Sequence, residues 1–570
     1  MRRPVIAVIT ALAILVTMTT LTAQIPGDRP SGNIAGTRSP AVGRHGMIAT
    51  SQSLASAAGL RVLQNGGNAI DAAVTAAAVL AVVEPSMNGI GGDLFAIVYD
   101  AKTKKTYALD ASGRAPAAAT PEEFAKRGIT EMPGEGVLSV NVPGVVSGWD
   151  ALLTRFGTIS MKDAVRPAIG YARDGFPVAE LMAAEWQDAA ARLAKDPHTK
   201  ATFLPNGTAP AMGEIFSNPR LATSLELIAQ GGRDAFYKGP IAQAIAADMQ
   251  ARHGLITAKD LADHTVDWVD TISVNYRGYD VHEMPPSTQG FVALEMLNIL
   301  EGYDIRKMGH NSADYLHLVT EAKKIAFADR GAYLADRAFV PKNALATLLS
   351  KDYATKRRGE ISLTKTGTYA AGVLPGGTAS SPDFAGRDRG DTIYLTAADG
   401  QGNVVSFIQS LFSAFGSGLV AGETGITLHN RGSGFVLTKG HPNQIGPGKR
   451  PLHTLVPAMI LKDGRPWVSF GVMGGDNQGQ AHAQVVMNLV DFGMNVQTAG
   501  EAARMRHMGT QLALERGIGA DVRAALEARG HRIRDGRAQM GGYQGIMIDP
   551  KTGVLLGGSD VRKDGLAIGW

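Results

Sequence analysis

The stretch "GRDRGDTIYLTAADGQGNVVSF", Gly386 to Phe407, passes from a loop rich in glycine, aspartate and arginine into a β-rich run, with Thr392 at the junction. A threonine hydroxyl is a weak nucleophile until a base takes its proton, and that base can be the residue's own α-amine. Such an amine has an ordinary pKa of about 8, so a useful fraction is unprotonated at neutral pH. It exists only after the preceding peptide bond has been cut, so the residue must come to begin its chain. A strand start after an accessible loop is where such a residue belongs, and Thr392 stands there. Competing constellations are missing from the sequence: no G-x-S-x-G elbow, no H-E-x-x-H, no P-loop and no G-x-G-x-x-G. The chain has no cysteine, which excludes disulfides, thiolate metal sites and cysteine nucleophiles together. Its 13 histidines are scattered, and only His453, in "GKRPLHT", sits near a glycine-rich segment.

The elements that must position Thr392 are legible in part. After it, Ile393, Leu395 and Ala397 alternate with Tyr394 and Thr396, "ADGQGN" turns the chain, and Val404–Ile408 returns as a partner strand. Upstream, a helical pattern runs from Ala55 through Leu63, "NGG" breaks it, and an alanine-rich helix follows from Asn68 to about Val83. Alanine on every face predicts a helix packed closely in the core. "NGIGGDLFAIVYD" reads as a glycine turn into a strand over Leu94–Tyr99, because neither a Walker lysine nor a helix follows it. From about Pro143 to Leu349 the pattern is mostly helical. In "NSADYLHLVTEAKKIAFADR", Ser312 can cap a helix whose Tyr315, Val319, Ala322 and Ala326 share one face. "MPPSTQG" is a turn, and 366–390 carry no periodicity and read as a loop or linker.

Composition bounds the rest. With 570 residues, 45% of them hydrophobic and 19% charged, the chain can bury a large core. A formal charge of +4 with no block of like charge makes nucleic acid or an anionic membrane a poor partner. Arg2 and Arg3, the apolar "VIAVITALAILV" and the small residue Ala23 read as an export signal over 1–23, too short to span a bilayer comfortably. The expectation is a periplasmic or secreted protein without stable membrane insertion.

These motifs resemble the γ-glutamyltransferase (γ-glutamyltranspeptidase, glutathione hydrolase) precursors of the N-terminal nucleophile hydrolase superfamily. The resemblance runs from about Gly46 to Trp570 and keeps the family's order. It includes "LQNGGNAIDAAV", "VPGVVSGWDALLTRFGT", "RPAIGYARDGFPV", "PPSTQGFVALEMLNILEGYDI", "EAKKIAFADRGAYLAD", "GDTIYLTAADGQGNVVSF", "FGSGLVAGETGITLHNRG", "PGKRPLHTLVPAMI", "GVMGGD" and "GGSDVRKDGLAIGW". It implies an α+β fold, a four-layer αββα sandwich, and self-cleavage at Asp391–Thr392. The products would be a large subunit, 24–391, and a small one, 392–570, associated as a heterodimer, with no cofactor and no metal.

By the same resemblance Thr392 is the nucleophile and Ser410 takes the place of a threonine whose hydroxyl touches it. Gly474 and Gly475 match the backbone pair of the oxyanion hole. The substrate clamp departs from the family. Where the family holds an α-ammonium with an Asp, an Asn and an amide side chain, this chain has Gly434, Phe412 and Arg431. For the α-carboxylate, Ser112 takes its usual place, Arg114 lies two positions off the pattern, and His453 and Thr454 replace a serine pair. The expectation is that a substrate carboxylate finds cations and hydroxyls here, while an α-ammonium finds no anion and meets Arg431. The implied activity is cleavage of γ-glutamyl amides such as glutathione through an acyl-enzyme on Thr392, passing the acyl group to water or to an amino-acid or peptide acceptor. Alternatives are an amide hydrolase for an acyl group lacking the α-amine (glutaryl or oxamyl), a Ser/His/Asp hydrolase, and a non-catalytic periplasmic binding protein that kept the fold.

Overall fold

The computed structural model describes residues 37–374, 390–536 and 540–570, with Gly390 and Asp391 described by their backbone alone. The export signal read over 1–23 and most of the loop read over 366–390 lie outside these residues.

Two seven-stranded antiparallel sheets stack face to face. The first runs Leu566–Gly569, Gly46–Thr50, Gly390–Asp399, Val404–Ser413, Asp93–Asp100, Lys105–Ala111, Asp267–Val269. The second runs Ala41–Gly43, Leu555–Ser559, Tyr543–Ile548, Arg465–Val472, Ala458–Lys462, Tyr279–Glu283, Ile272–Tyr276. The alternation expected after Thr392 is present and has a clear cause. Ile393, Leu395 and Ala397 face the helices outside the first sheet, while Tyr394 and Ala398 face the second sheet. In the neighbouring strand, Leu94, Ala96 and Val98 face the helices and Phe95, Ile97 and Tyr99 the space between sheets. Both faces of each strand are thus buried, as a sheet covered on both sides requires. Thr396 Oγ1 and Ser469 Oγ, 2.7 Å apart, tie the sheets together across that space.

Helices close the sandwich. The alanine-rich helix Ala69–Val83 has all its residues buried and packs on the first sheet and on the helices Ser53–Gln64 and Met161–Asp174. Asn68 caps it, accepting from the Ile70 and Asp71 amides, and Asp71 returns the bond to Asn68 N. On the second sheet lie Gly290–Leu300 and Asn477–Val490, with Ala313–Tyr333 packed against both helices. Ser312 caps Ala313–Tyr333 by accepting from Tyr315 N, as its sequence predicts. The mostly helical reading of 143–349 overlooks Asp267–Val269 at the edge of the first sheet, the small pair Phe176–Pro177 and Ile215–Phe216, and Tyr279–Glu283 and Ile272–Tyr276, which complete the second sheet. Each is short, and one turn at Arg277 and Gly278 joins the last two.

One contact between the sheets tests this packing. A Cβ on Gly471 would meet the Tyr394 ring at 2.4 Å, two residues past Thr392. Gly471→Ala is therefore expected to destabilise the fold by about 1–3 kcal/mol, the usual cost of overpacking, read as a lowered thermal midpoint; an unchanged midpoint would show that the sheets separate easily.

Candidate active site

The strand carrying Thr392 begins earlier than its sequence suggests. Its ladder with Val404–Ser413 starts at Gly390, so the Asp391–Thr392 bond lies inside a paired strand rather than before one. The register slips there: Asp391 pairs with Phe412 and Ile393 with Gln409, so Ser410 and Leu411 together oppose Thr392. This is a β-bulge, which adds a residue to one strand and re-aims its side chains. The Leu411 amide leaves the ladder for Met87 O, at 3.1 Å, and Phe412 takes a positive φ of 81°. The bulge turns Ser410 Oγ inward, where it accepts from Thr392 Oγ1 at 3.2 Å and from Phe412 N at 2.7 Å. Thr392 and Ser410 are buried. On its other side Thr392's strand pairs with Gly46–Thr50 only from Leu395 onward.

Beside this pair sits a buried polar cluster. Asp93 opens the strand that pairs with Ser410, so its carboxylate enters from the neighbouring strand. Its Oδ1 accepts from Gly113 N at 2.7 Å. Its Oδ2 lies 3.7 Å from His429 Nδ1, 3.7 Å from Arg431 Nε and 3.8 Å from His453 Nε2. All four side chains are essentially inaccessible. The Arg431 guanidinium lies over the Phe412 ring at 4.2 Å, and its NH1 reaches Thr454 Oγ1 at 3.5 Å. Its Nε and NH2, Asp93 Oδ2 and both His453 nitrogens have no hydrogen-bond partner among the described residues. Separations just beyond hydrogen-bond length, around unpartnered buried atoms, leave this cluster able to receive a polar group. His429 accepts from Arg431 N through Nδ1 and approaches Asn141 O through Nε2, which fixes a neutral ring with its proton on Nε2. The strand meets this cluster closely because of "GIGG": a Cβ on Gly91 would lie 2.2 Å from Thr427 O.

Asp93 is an anion within 3.7 Å of Arg431 that the reading of positions 412, 431 and 434 did not include. Burial drives its carboxyl above the usual range, against the pull of His429 and Arg431. Burial also lowers the Arg431 guanidinium to about 10. The two charges partly neutralise each other.

Gly474 and Gly475 form a tight turn before the helix Asn477–Val490, with φ of 104° and 59°, values that favour glycine. Their carbonyls accept from Asn477 N and Gln478 N, while no described residue accepts from either glycine N–H. The Gln289 amide bridges Gly475 O at 3.1 Å and Thr454 O at 2.9 Å, joining this turn to the Arg431 cluster.

Other residues singled out in the sequence border this cluster and have partners of their own, Ser112 and Arg114 flanking Gly113 and Gly434 closing the short helix that Arg431 begins. Arg114 is engaged by Asp267 at 3.2 Å, Asp336 at 3.8 Å and Gly448 O at 3.1 Å. Ser112 donates to Asp110 at 2.6 Å, within the same network around Arg450. Gly434 is packed on Leu452, whose carbonyl a Cβ there would meet at 3.0 Å. Asp93, His429 and Gln289 were not singled out, although they lie in "GGDLF", "LHNRG" and "PPSTQG"; their only sequence signal is that company. One set of potential metal ligands occurs among the described residues, His317, Glu321 and His531. Glu321 already accepts from Lys324, Thr366, Gly367 and Tyr369, filling its oxygens with donors from the segment 366–369.

The family described as Gamma-glutamyltranspeptidase matches residues 55–570. The chain is 39% identical to the "Glutathione hydrolase-like YwrD proenzyme" of Bacillus subtilis (strain 168), covering 93% of this chain and 99% of that one. It is 38% identical to the "Acylase ACY 1 proenzyme" of Pseudomonas sp. (strain SE83), over 93% and 94%. Among solved structures, the cephalosporin acylase of Bacillus halodurans superposes with a TM-score of 0.88 at 40% identity, covering 94% of this chain and 97% of that one.

The buried rings give this site a pH signature. Burial, with Arg431 beside it, holds His453 well below the ordinary histidine range, and burial lowers His429 too. Elsewhere burial holds His264 at about 3 and His507 at about 2. Each such ring binds a proton in the unfolded chain before it does in the native one, so its stabilisation is complete above about 6.5 and lost as pH falls. The slope approaches about 1.4 kcal/mol per pH unit per ring. Asp93, with its raised pKa, opposes this in part. The thermal midpoint is expected to fall between pH 7 and pH 5; a flat or rising profile would show these rings charged in the fold.

Proposed function

The chain belongs to the gamma-glutamyltranspeptidase family and is an N-terminal nucleophile amidohydrolase, and on that premise we propose that it cuts itself at Asp391–Thr392 and then cleaves small-molecule amides through an ester on Thr392. Thr392 Oγ1 would attack the Asp391 carbonyl, the Asp391 C–Thr392 N bond would break to leave an ester on Oγ1 and a free Thr392 amine, and water would then hydrolyse the ester, releasing Asp391 as a carboxylate and restoring the hydroxyl. That amine takes the hydroxyl proton when a substrate is attacked, and later activates the water or amine acceptor. Ser410 orients the hydroxyl from the bulge. The Gly474 and Gly475 amides receive the oxyanion, a role that needs donors not already engaged. The large part, 24–391, and the small part, 392–570, would stay together, because each sheet combines strands from both. Residues 1–23 would direct export, and no helix among the described residues is long and apolar enough to cross a membrane.

The acyl group we favour carries a terminal carboxylate and no α-ammonium, as in glutaryl amides or in oxamate. The supporting observation is Arg431: buried on Phe412, beside Thr454, with Nε and NH2 making no hydrogen bond to a described residue. A carboxylate can accept two parallel bonds from such a guanidinium. A second reading, γ-glutamyl amides such as glutathione, is favoured by Asp93 Oδ2, which could take an α-ammonium while Arg431 holds the α-carboxylate. Names of relatives point both ways. Paired glutaryl and γ-glutamyl anilides with one leaving group decide between them. The glutaryl amide should show kcat/KM at least equal to its partner; a hundredfold preference for γ-glutamyl would establish Asp93 as the ammonium site. Absence of turnover on any amide in a fully processed protein would overturn the enzymatic reading itself.

A further inference from the structure

The turn assigned to the oxyanion is held from outside by a side chain with no place in the chemistry so far. Arg330, on the helix Ala313–Tyr333, is almost wholly buried, and its NH2 meets Asp476 Oδ1 at 2.7 Å. Its guanidinium also lies over the Phe327 ring at 4.6 Å, which fixes its plane. Asp476 directly follows Gly475 and is the N-cap of the helix Asn477–Val490. An Asp at that position ordinarily accepts from the amides of the first helical turn. Asp476 makes no such bond. Its carboxylate turns away from the helix to Arg330, forgoing a cap for a charge-assisted contact.

The turn is thereby fixed at three points. Asn477 N and Gln478 N bind the carbonyls of Gly474 and Gly475, Gln289 binds Gly475 O, and Arg330 binds the adjoining side chain. With both carbonyls committed, the peptide planes are set, and their N–H groups are left for a ligand. Gln289 and Arg330 both precede Thr392 in the chain, whereas the turn follows it, so the part before the cleavage site orients the donors of the part after it.

We infer that Arg330, through Asp476, is a positioning residue for the Gly474–Gly475 oxyanion donors and is used more in the transition state than in substrate binding. This rests on the reading of that glycine pair. Misplacing preorganised donors by a fraction of an ångström costs rate without weakening ground-state affinity in proportion.

The test compares Arg330→Gln, Arg330→Lys and Asp476→Asn with Gly475→Val, on whichever of the glutaryl and γ-glutamyl anilides wild type cleaves faster. Arg330→Gln should lower kcat by roughly tenfold to a hundredfold, below the scale of losing a donor outright, with KM within about threefold. Arg330→Lys should restore part of the loss. A boronic acid bearing the same acyl chain, which forms a tetrahedral adduct on Thr392, should lose affinity in parallel with kcat, while the free product acid binds as before. Arg330→Gln combined with Asp476→Asn should be no worse than the worse single variant. If Arg330→Gln fails to mature, Asp476→Asn carries the same readouts. Wild-type kcat in both single variants alongside a collapse in Gly475→Val overturns this inference alone, as does additivity in the double variant. Wild-type kcat in Gly475→Val overturns the oxyanion reading beneath it.

Discussion

A nucleophile that supplies its own base must be the first residue of a chain, yet it must be held as firmly as one in the middle of a strand. The bulge opposite Thr392 reconciles these demands. Backbone pairing of Asp391 and Ile393 with Phe412 and Gln409 holds the strand on both sides of Thr392, while the extra residue across from it turns Ser410 Oγ onto the threonine hydroxyl. Much else follows from that slip. It sends the Leu411 amide to Met87, sets Phe412 in a left-handed backbone conformation, and so places the Phe412 ring under Arg431. Cleavage would remove one covalent bond from a strand whose pairing beyond Thr392 persists on both sides.

The second constraint is burial. Arg431, Asp93, His429 and His453 are all withdrawn from water, where isolated charges are costly. The cluster holds together because Asp93 and Arg431 partly offset each other and the rings stay neutral. On the reading proposed here such a site would select by charge: a substrate group that completes the unpartnered atoms of Arg431 would be welcome, and one that leaves them unmet would be penalised. It would differ from a clamp of one carboxylate and two amides at positions 434, 412 and 431, and would let the catalytic centre persist while the acyl group changes.

What was legible in the sequence was local or ordered. The alternation of Ile393, Leu395 and Ala397, the cap at Ser312 and the alanine helix after Asn68 all rest on neighbours within a few residues, and all are present. Thr392 could be singled out because its chemistry requires a chain start. Asp93 could not, because its role arises only when a strand ladder sets it across from Ser410. Arg114 was drawn into the site by its proximity to a motif, whereas in three dimensions its charge is met by Asp267 and Asp336. The strands at 272–283 are not legible because five residues each leave little periodicity inside a helical region. Arg330 lies in "EAKKIAFADRGAYLAD", yet its contact with Asp476 joins distant parts of the chain and leaves no local signal.

The central claim is that Thr392 becomes a chain terminus and acts as one. Intact-mass measurement of the purified, active protein, together with the sequence of each N-terminus, tests this directly. The account predicts two chains from one precursor, the smaller beginning at Thr392, and a single uncut, inactive chain for Thr392→Ala. Full activity in an uncut wild-type chain, or a smaller chain beginning at any other residue, would contradict it.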